Sequence, residues 1–208
     1  MRFLIFLVAV MSLAACSTTP PHQFVADPDK KWEQRKMLLS DIEHWLLNGR
    51  IAIINGQESW HLNMDWQRHN EKYILNLSGP FGTGQAQLTG TAEGVILVDS
   101  DENYFYADTP DNLLHEVTGL RIPVKSLLYW IRGLPNWNSQ NAKQQLDGYG
   151  RLAVLHQDGW QVRFKKYIDV EKHELPQKIF IEGFDLKVKL FVDEWDLKSK
   201  NFKTRENK

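Results

Sequence analysis

The chain has 208 residues with 25 basic and 26 acidic side chains, and its net charge of -1 gives no indication of a nucleic-acid partner. A single cysteine excludes an internal disulfide framework, so a hydrophobic core has to supply the stability of the fold. Eight tryptophans and ten phenylalanines provide large apolar surfaces, which suit either such a core or an apolar binding cavity.

The N terminus has the pattern of a lipoprotein signal. Met1 and Arg2 form a short positive region, and residues 3–13 are apolar but too few to span a bilayer. Small residues then lead to Cys16, and this order resembles the lipobox of bacterial lipoproteins. By that resemblance a signal peptide over residues 1–15 is removed and Cys16 is lipidated, whereas the alternative is an ordinary secretory signal that ends near a cysteine. Two or three acyl chains would make the anchor effectively permanent.

The folded part of the chain is expected to follow a polar, proline-bearing tether over residues 16–29. Asp29 is the predicted N-cap of a first helix, whose broken apolar stripe extends over residues 32–46. The apolar pattern changes to period two over residues 50–54, which predicts a strand, and Asn55-Gly56 predicts a hairpin turn after it.

The second predicted strand has an unusually bulky apolar face. Its apolar side chains alternate with polar ones and are Trp60, Leu62, Met64 and Trp66. Leu75 and Leu77 repeat this pattern in the next strand. Because a filled barrel and a hollow barrel produce the same alternation, the pattern alone is compatible with a solid core and with a ligand cavity.

The remaining elements are mostly short strands joined by turns. Further strands are predicted over residues 85–89, 95–98, 104–107, 152–156, 160–167, 178–182 and 184–195. One insertion carries two short helices, the first capped by Thr109 and ended by Gly119, the second opened by Pro123. The polar residues 136–148 predict a surface loop. About ten or eleven strands in this arrangement indicate a mainly antiparallel β fold, a curled sheet with helices over one face or an open end.

Short landmarks occur along the chain in a characteristic order. They are Gly49-Arg50, Trp66-Gln67, Ser78 to Gly82, Tyr106 to Asp108, Thr118-Gly119, Ile122 to Val124, Trp130 to Pro135, Leu175-Pro176 and Trp195. With this order and spacing over residues 30–197, the chain resembles the LolB family, outer-membrane lipoproteins that accept other lipoproteins from the periplasmic carrier LolA. The resemblance implies one domain, a half-closed antiparallel β-barrel with a helical lid that encloses an apolar cavity, followed by a polar tail over residues 198–208.

The resemblance also implies two sites. The cavity would hold acyl chains and be lined by Trp60, Leu62, Met64, Trp66, Leu75, Leu77, Leu127, Trp130 and Ile131. A loop after the third strand would present an apolar residue for membrane insertion, and it corresponds here to Gly79, Pro80, Phe81 and Gly82. Phe81 is at the tip, where the family often has leucine. The alternative is that Phe81 folds back onto the sheet.

The implied function is receipt of lipoproteins from a LolA-like carrier and their insertion into the inner leaflet of the outer membrane. The resemblance implies no cofactor, no metal and no catalysis, and a monomer anchored at the periplasmic face through Cys16. Arg50 and Arg132 are expected either to meet an acidic carrier surface or to be solvated or paired within the domain. A second possible function is that of a structural lipoprotein subunit in an outer-membrane assembly machine.

Overall fold

The strands form one eleven-stranded antiparallel sheet in a computed structural model, which describes residues 24–139 and 141–198. The strands are β1 (His44–Asn55), β2 (Glu58–His69), β3 (Lys72–Ser78), β4 (Gln85–Gly90), β5 (Val95–Val98), β6 (Tyr104–Ala107), β7 (Ala142–Leu146), β8 (Leu152–Gln157), β9 (Trp160–Val170), β10 (His173–Gly183) and β11 (Leu186–Asp196). The predicted signal peptide and Cys16 lie outside the described residues.

The sheet is unclosed. Its order is β6-β5-β4-β3-β2-β1-β11-β10-β9-β8-β7, so two meanders are joined where β1 pairs with β11, and β6 and β7 are the edges. β1 pairs with both β2 and β11 over long stretches, so the middle residues of these three strands lie at the centre of the sheet. The segment between the two edge strands carries two helices, which are thereby positioned to cover the open side of the sheet.

Three helices accompany the sheet: α1 (Pro28–Ser40), α2 (Pro110–Thr118) and α3 (Val124–Trp130). The predicted boundaries of α2 are confirmed, because the Thr109 hydroxyl accepts a hydrogen bond from the Asn112 backbone N–H and Gly119 ends the helix with a φ of +73°. Within the described ranges no helix combines the length and the apolar character needed to cross a membrane.

Alternation along the strands separates an inner face from an outer face. Inner side chains such as Ile51, Met64 and Val188 are buried, whereas their neighbours Arg50, Asp65 and Lys189 are exposed on the outer face. We call the end that carries the β1–β2 and β10–β11 turns and the loop after β3 the upper end, and the opposite end the lower end. Antiparallel register places these three connections at the same end.

The core is dense at the lower end of the inner face. Trp45 contacts both Trp66 and Trp195 edge-to-face, with ring centroids 5.5 and 5.7 Å apart. Trp32 of α1 is also buried, so the first helix packs onto this cluster. These large side chains supply much of the apolar area that the composition predicted for a core without disulfides.

The first helix differs from its prediction at both ends. Asp27 rather than Asp29 is the N-cap, since its carboxylate accepts the backbone N–H of Lys30 at 2.9 Å. The helix ends at Ser40, and Trp45 belongs to β1, because alternation there buries it on the inner face of the sheet. The predicted tether therefore ends earlier than residue 29.

One predicted loop and the start of one predicted strand were also wrong. The polar segment over residues 136–148 contains the edge strand β7, which pairs with β8 although its side chains are largely exposed. Phe184 was assigned to the last strand, but it lies with Asp185 in the turn before β11, with φ values of 51° and 63°. An edge strand with exposed side chains has no apolar alternation that would reveal it. A two-residue turn without glycine likewise lacks the usual turn residues.

Candidate functional site

The helices α2 and α3 form a lid over the inner face of the sheet. Leu113 of α2 and Leu127 of α3 are buried in the same apolar cluster as the strand residues. The Trp130 indole lies at the end of α3 and contacts the Trp160 ring, with centroids 6.5 Å apart. The lid therefore closes the apolar interior with apolar side chains of its own.

A buried amide fixes the C-terminal end of the lid. The side-chain amide oxygen of Gln157 accepts hydrogen bonds from the Trp130 indole N–H and the Asn136 backbone N–H, both at 2.9 Å. The Gln157 amide nitrogen donates back to the Asn136 carbonyl at 2.8 Å. Every polar atom of this buried side chain thus has a partner, which holds α3 and the segment after it against β8.

Arg132 provides a second attachment, at the lower end. Its buried guanidinium donates to the carbonyl of Leu39, in the last turn of α1, at 3.3 Å and to the carbonyl of Ile42, just after that helix, at 2.9 Å. Burial lowers the pKa of Arg132 to about 10, so the group remains charged at neutral pH. A role for Arg132 at a carrier surface is therefore wrong, and pairing within the domain is the observed alternative.

Arg50 is exposed but is also paired within the domain. Its guanidinium donates to both carboxylate oxygens of Asp193, at 2.8 and 3.1 Å, and lies over the Phe191 ring at 4.9 Å. These contacts are on the outer face of the sheet. The sequence did not indicate this partner, since Asp193 is distant from Arg50 along the chain.

The residues predicted to line an acyl-chain cavity occupy the apolar interior unequally. Six are buried in the main cluster: Met64, Trp66, Leu75, Leu127, Trp130 and Ile131. Leu62 and Leu77 are half-buried against this cluster, and Trp60 is 37% exposed at the upper end. The lid residues Leu127, Trp130 and Ile131 thus share one buried cluster with the strand residues Met64, Trp66 and Leu75.

Phe81 lies at the tip of the loop that follows β3. Its side chain is fully exposed at 104% relative accessibility, so the alternative in which it folds back onto the sheet is wrong. Its φ of 60° is in the left-handed region, which is uncommon for a bulky residue. Such a conformation persists only where the surrounding backbone enforces it.

Hydrogen bonds brace the loop on both sides of Phe81. The Gly79 N–H donates to the Thr83 carbonyl at 2.6 Å, and the Thr83 hydroxyl donates to the Pro80 carbonyl at 2.9 Å. A Cβ atom on Gly79 would lie 2.6 Å from the Thr83 carbonyl oxygen, so only glycine fits there. The loop thus presents Phe81 from a tight, internally bonded turn.

Two further aromatic side chains are exposed at the upper end, Trp60 and Phe184. Phe184 lies over the edge of Trp160, with ring centroids 5.3 Å apart, and the Arg121 guanidinium lies 5.9 Å from its ring. A depression of about 420 Å³ separates the α2–α3 connection from the β8–β9 and β10–β11 turns. Alternation places Phe184 in a strand, so the sequence did not indicate it as a site residue.

Comparison with known proteins identifies one family. The model of the family described as "Outer membrane lipoprotein LolB" matches residues 43–195. An outer-membrane lipoprotein LolB from Nitrosococcus oceani is 35% identical over 87% of this chain and 90% of that protein. The corresponding protein from Ectopseudomonas mendocina is 34% identical over 86% of this chain and 88% of that protein.

Solved structures show the same fold at very low sequence identity. A LolA superfamily protein from Nitrosomonas europaea superposes with a TM-score of 0.53 at 7% identity, covering 85% of this chain and 96% of that one. A DUF1329 family protein from Desulfovibrio piger gives a TM-score of 0.50 at 6% identity, covering 85% and 95%. The half-barrel architecture predicted from the sequence is therefore confirmed.

Proposed function

The chain belongs to the LolB family of outer-membrane lipoproteins, and on this premise we propose that it receives lipoproteins from a LolA-like periplasmic carrier and delivers them to the outer membrane. The acyl chains of the cargo occupy the apolar interior during the transfer. Delivery is into the inner leaflet, from a receptor anchored at the periplasmic face by lipid on Cys16.

The observation that carries this proposal is an apolar interior covered by a lid in a sheet that does not close. The edge strands β6 and β7 are not joined to each other, so α2 and α3 can move without breaking the ladder of the sheet. The Gln157 and Arg132 hydrogen bonds hold the C-terminal end of the lid, while the α2–α3 connection borders a depression. Opening from the α2 side would expose Met64 and the half-buried Leu62 to acyl chains.

Transfer by this route needs no chemical energy source. Carrier and receptor both bury the same acyl chains, so the large hydrophobic terms cancel between the two complexes. A difference of about 1.4 kcal/mol in affinity gives a tenfold preference for the receptor. A more apolar interior or an easier lid opening than in the carrier supplies such a difference.

Phe81 acts in the second step, when cargo leaves for the membrane. Burying one phenylalanine side chain in the bilayer contributes about 1.5–3 kcal/mol, which is too little for a permanent anchor but enough to hold the upper end at the surface. The braced conformation of the loop means that little conformational entropy is lost on insertion.

The test mixes the mature lipoprotein in vesicles with a soluble carrier–lipoprotein complex, without nucleotide or any other energy source. We expect the cargo to leave the carrier and to float with the vesicles, and an apolar fluorescent probe to compete for the receptor. A folded receptor that neither accepts cargo nor binds the probe would contradict the proposal. That outcome would favour a structural subunit of an assembly machine.

A further inference from the structure

The outer face of the sheet carries a depression of about 620 Å³ directly beside the Phe81 loop. Pro80 of the loop forms one side of this depression, and β1, β2, β10 and β11 form its floor. The lining side chains that point outward include Lys178, Phe180 and Lys189. This site is on the opposite side of the sheet from the lid and the apolar interior.

Two lysines are gathered around one aromatic ring at the centre of the depression. The ammonium groups of Lys178 and Lys189 lie 5.3 and 6.0 Å from the Phe180 ring centroid. Register explains this cluster, because Phe180 pairs with Lys189 and Lys178 pairs with Phe191 across β10 and β11. The two exposed lysines therefore project from adjacent strands on the outer face, Lys178 from β10 and Lys189 from β11.

The acidic groups near this depression are already engaged by arginines. Asp193 accepts two hydrogen bonds from Arg50, and Glu182 accepts two from Arg163. Within residues 24–139 and 141–198, no ion pair closer than 4.0 Å engages Lys178 or Lys189. Their positive charge is thus available to an external anion.

Charge changes along the outer face from one end of the sheet to the other. On β11 the outward residues are Lys187 and Lys189 toward the upper end and Asp193 toward the lower end. On β2 the outward Asp65 also lies toward the lower end. The half that adjoins Phe81 therefore carries Lys178, Lys187 and Lys189, and its outward acid Glu182 is paired with Arg163.

We propose that this depression docks on anionic phospholipid headgroups, so that the outer face of the sheet lies against the membrane while Phe81 enters it. The proposal rests on the proposed function, because the membrane contact of Phe81 brings the lysines to the headgroup layer. Positive charge attracts anionic lipids only within about a Debye length, so both contacts must form at the same end. Docking fixes the orientation of the receptor, which a lipid on Cys16 alone does not.

A pair of label positions on one strand measures this orientation. Ser59 and Asp65 are both exposed on the outer face of β2, and their separation of six residues along the strand corresponds to about 20 Å. Ser59→Cys and Asp65→Cys variants of the mature lipoprotein are labelled with a fluorophore, since the only native cysteine is the predicted lipid attachment site. The vesicles contain a headgroup-labelled quencher lipid, with or without phosphatidylglycerol.

We expect quenching about tenfold stronger at position 59 than at position 65 when phosphatidylglycerol is present. The double variant Lys178→Glu, Lys189→Glu is expected to abolish this difference. The matched control Lys30→Glu, Lys172→Glu makes the same change in net charge at exposed lysines elsewhere and is expected to preserve it.

Equal quenching at the two positions, or a difference that survives reversal of the two lysines, would overturn the docking proposal. If cargo transfer remains normal in that case, the proposed function stands without it. If the lysine reversal instead weakens binding of a soluble acidic carrier and leaves the quenching unchanged, the depression is a protein-binding surface and the membrane proposal fails. Because the quenching needs no cargo, failure of cargo transfer alone would count only against the proposed function.

Discussion

The two ends of the sheet use the same residue types differently. Trp66 and Trp60 are on one face of β2, but Trp66 is 1% exposed in the lower cluster and Trp60 is 37% exposed at the upper end. The arginines differ by face instead of by end, since Arg132 is buried on backbone carbonyls whereas Arg50 is exposed on the outer face. Stability is thus concentrated at the lower end, and the upper end keeps apolar and charged groups accessible for the proposed function.

The two tryptophans provide the strongest test of this difference. Trp66→Ala leaves a cavity in the lower cluster and is expected to destabilise the fold by about 3–5 kcal/mol. Trp60→Ala, on the same strand and face, is expected to cost about 1 kcal/mol or less, because its ring is already partly in water. Denaturant unfolding measures both, and similar losses for the two variants would contradict the assignment of stability to the lower end.

The two arginines compare a buried charged group with an exposed one. Arg132→Met removes a charged donor from buried carbonyls and is expected to cost about 2–3 kcal/mol. Arg50→Met breaks an exposed ion pair and is expected to cost between zero and about 1 kcal/mol. Because the pKa of Arg132 is about 10, the cost of Arg132→Met should be independent of pH across the neutral range. A pH-dependent loss near neutrality would show that another group titrates with Arg132.

Changes at Phe81 are expected to separate function from stability. Phe81→Glu should reduce delivery to vesicles at least about tenfold, since it replaces an apolar membrane contact by a charge. Its stability should change by less than about 0.5 kcal/mol, because the side chain is fully exposed. Phe81→Leu is the matched control that retains delivery, and Phe81→Asn keeps the left-handed backbone without the apolar group. Delivery at the normal rate by Phe81→Asn would exclude an apolar requirement.

The attachment of the lid gives the smallest expected effect. Gln157→Leu leaves the Trp130 indole N–H and the Asn136 N–H without their acceptor and is expected to cost about 1–2 kcal/mol. If the lid opens more easily as a result, binding of an apolar probe should become several-fold tighter. Gln161→Leu, on the neighbouring strand, serves as a control for a change of the same size. Unchanged probe binding by Gln157→Leu would show that Gln157 does not restrain the lid.

Much of the fold followed from alternation, because burial on one face forces apolar residues to recur at every second position. The same pattern gives the face of a residue but not its depth along the strand, so Trp60 and Trp66 could not be distinguished. The glycines and the proline around Phe81 favoured its exposure, but they did not exclude that its ring folds back onto the sheet. The role of Gln157 could not, because its partners are remote in sequence and its side chain resembles that of any polar turn residue.

Hydrogen exchange of the receptor, before and after it takes a lipoprotein from the carrier, tests the central claim most directly. We expect faster exchange of the amides of α2 and α3 in the loaded protein, with unchanged protection of β1, β2 and β11 around Trp45 and Trp66. Loading without any change in the lid would contradict the account, because the interior would then have to remain filled by its own side chains while the acyl chains bind elsewhere.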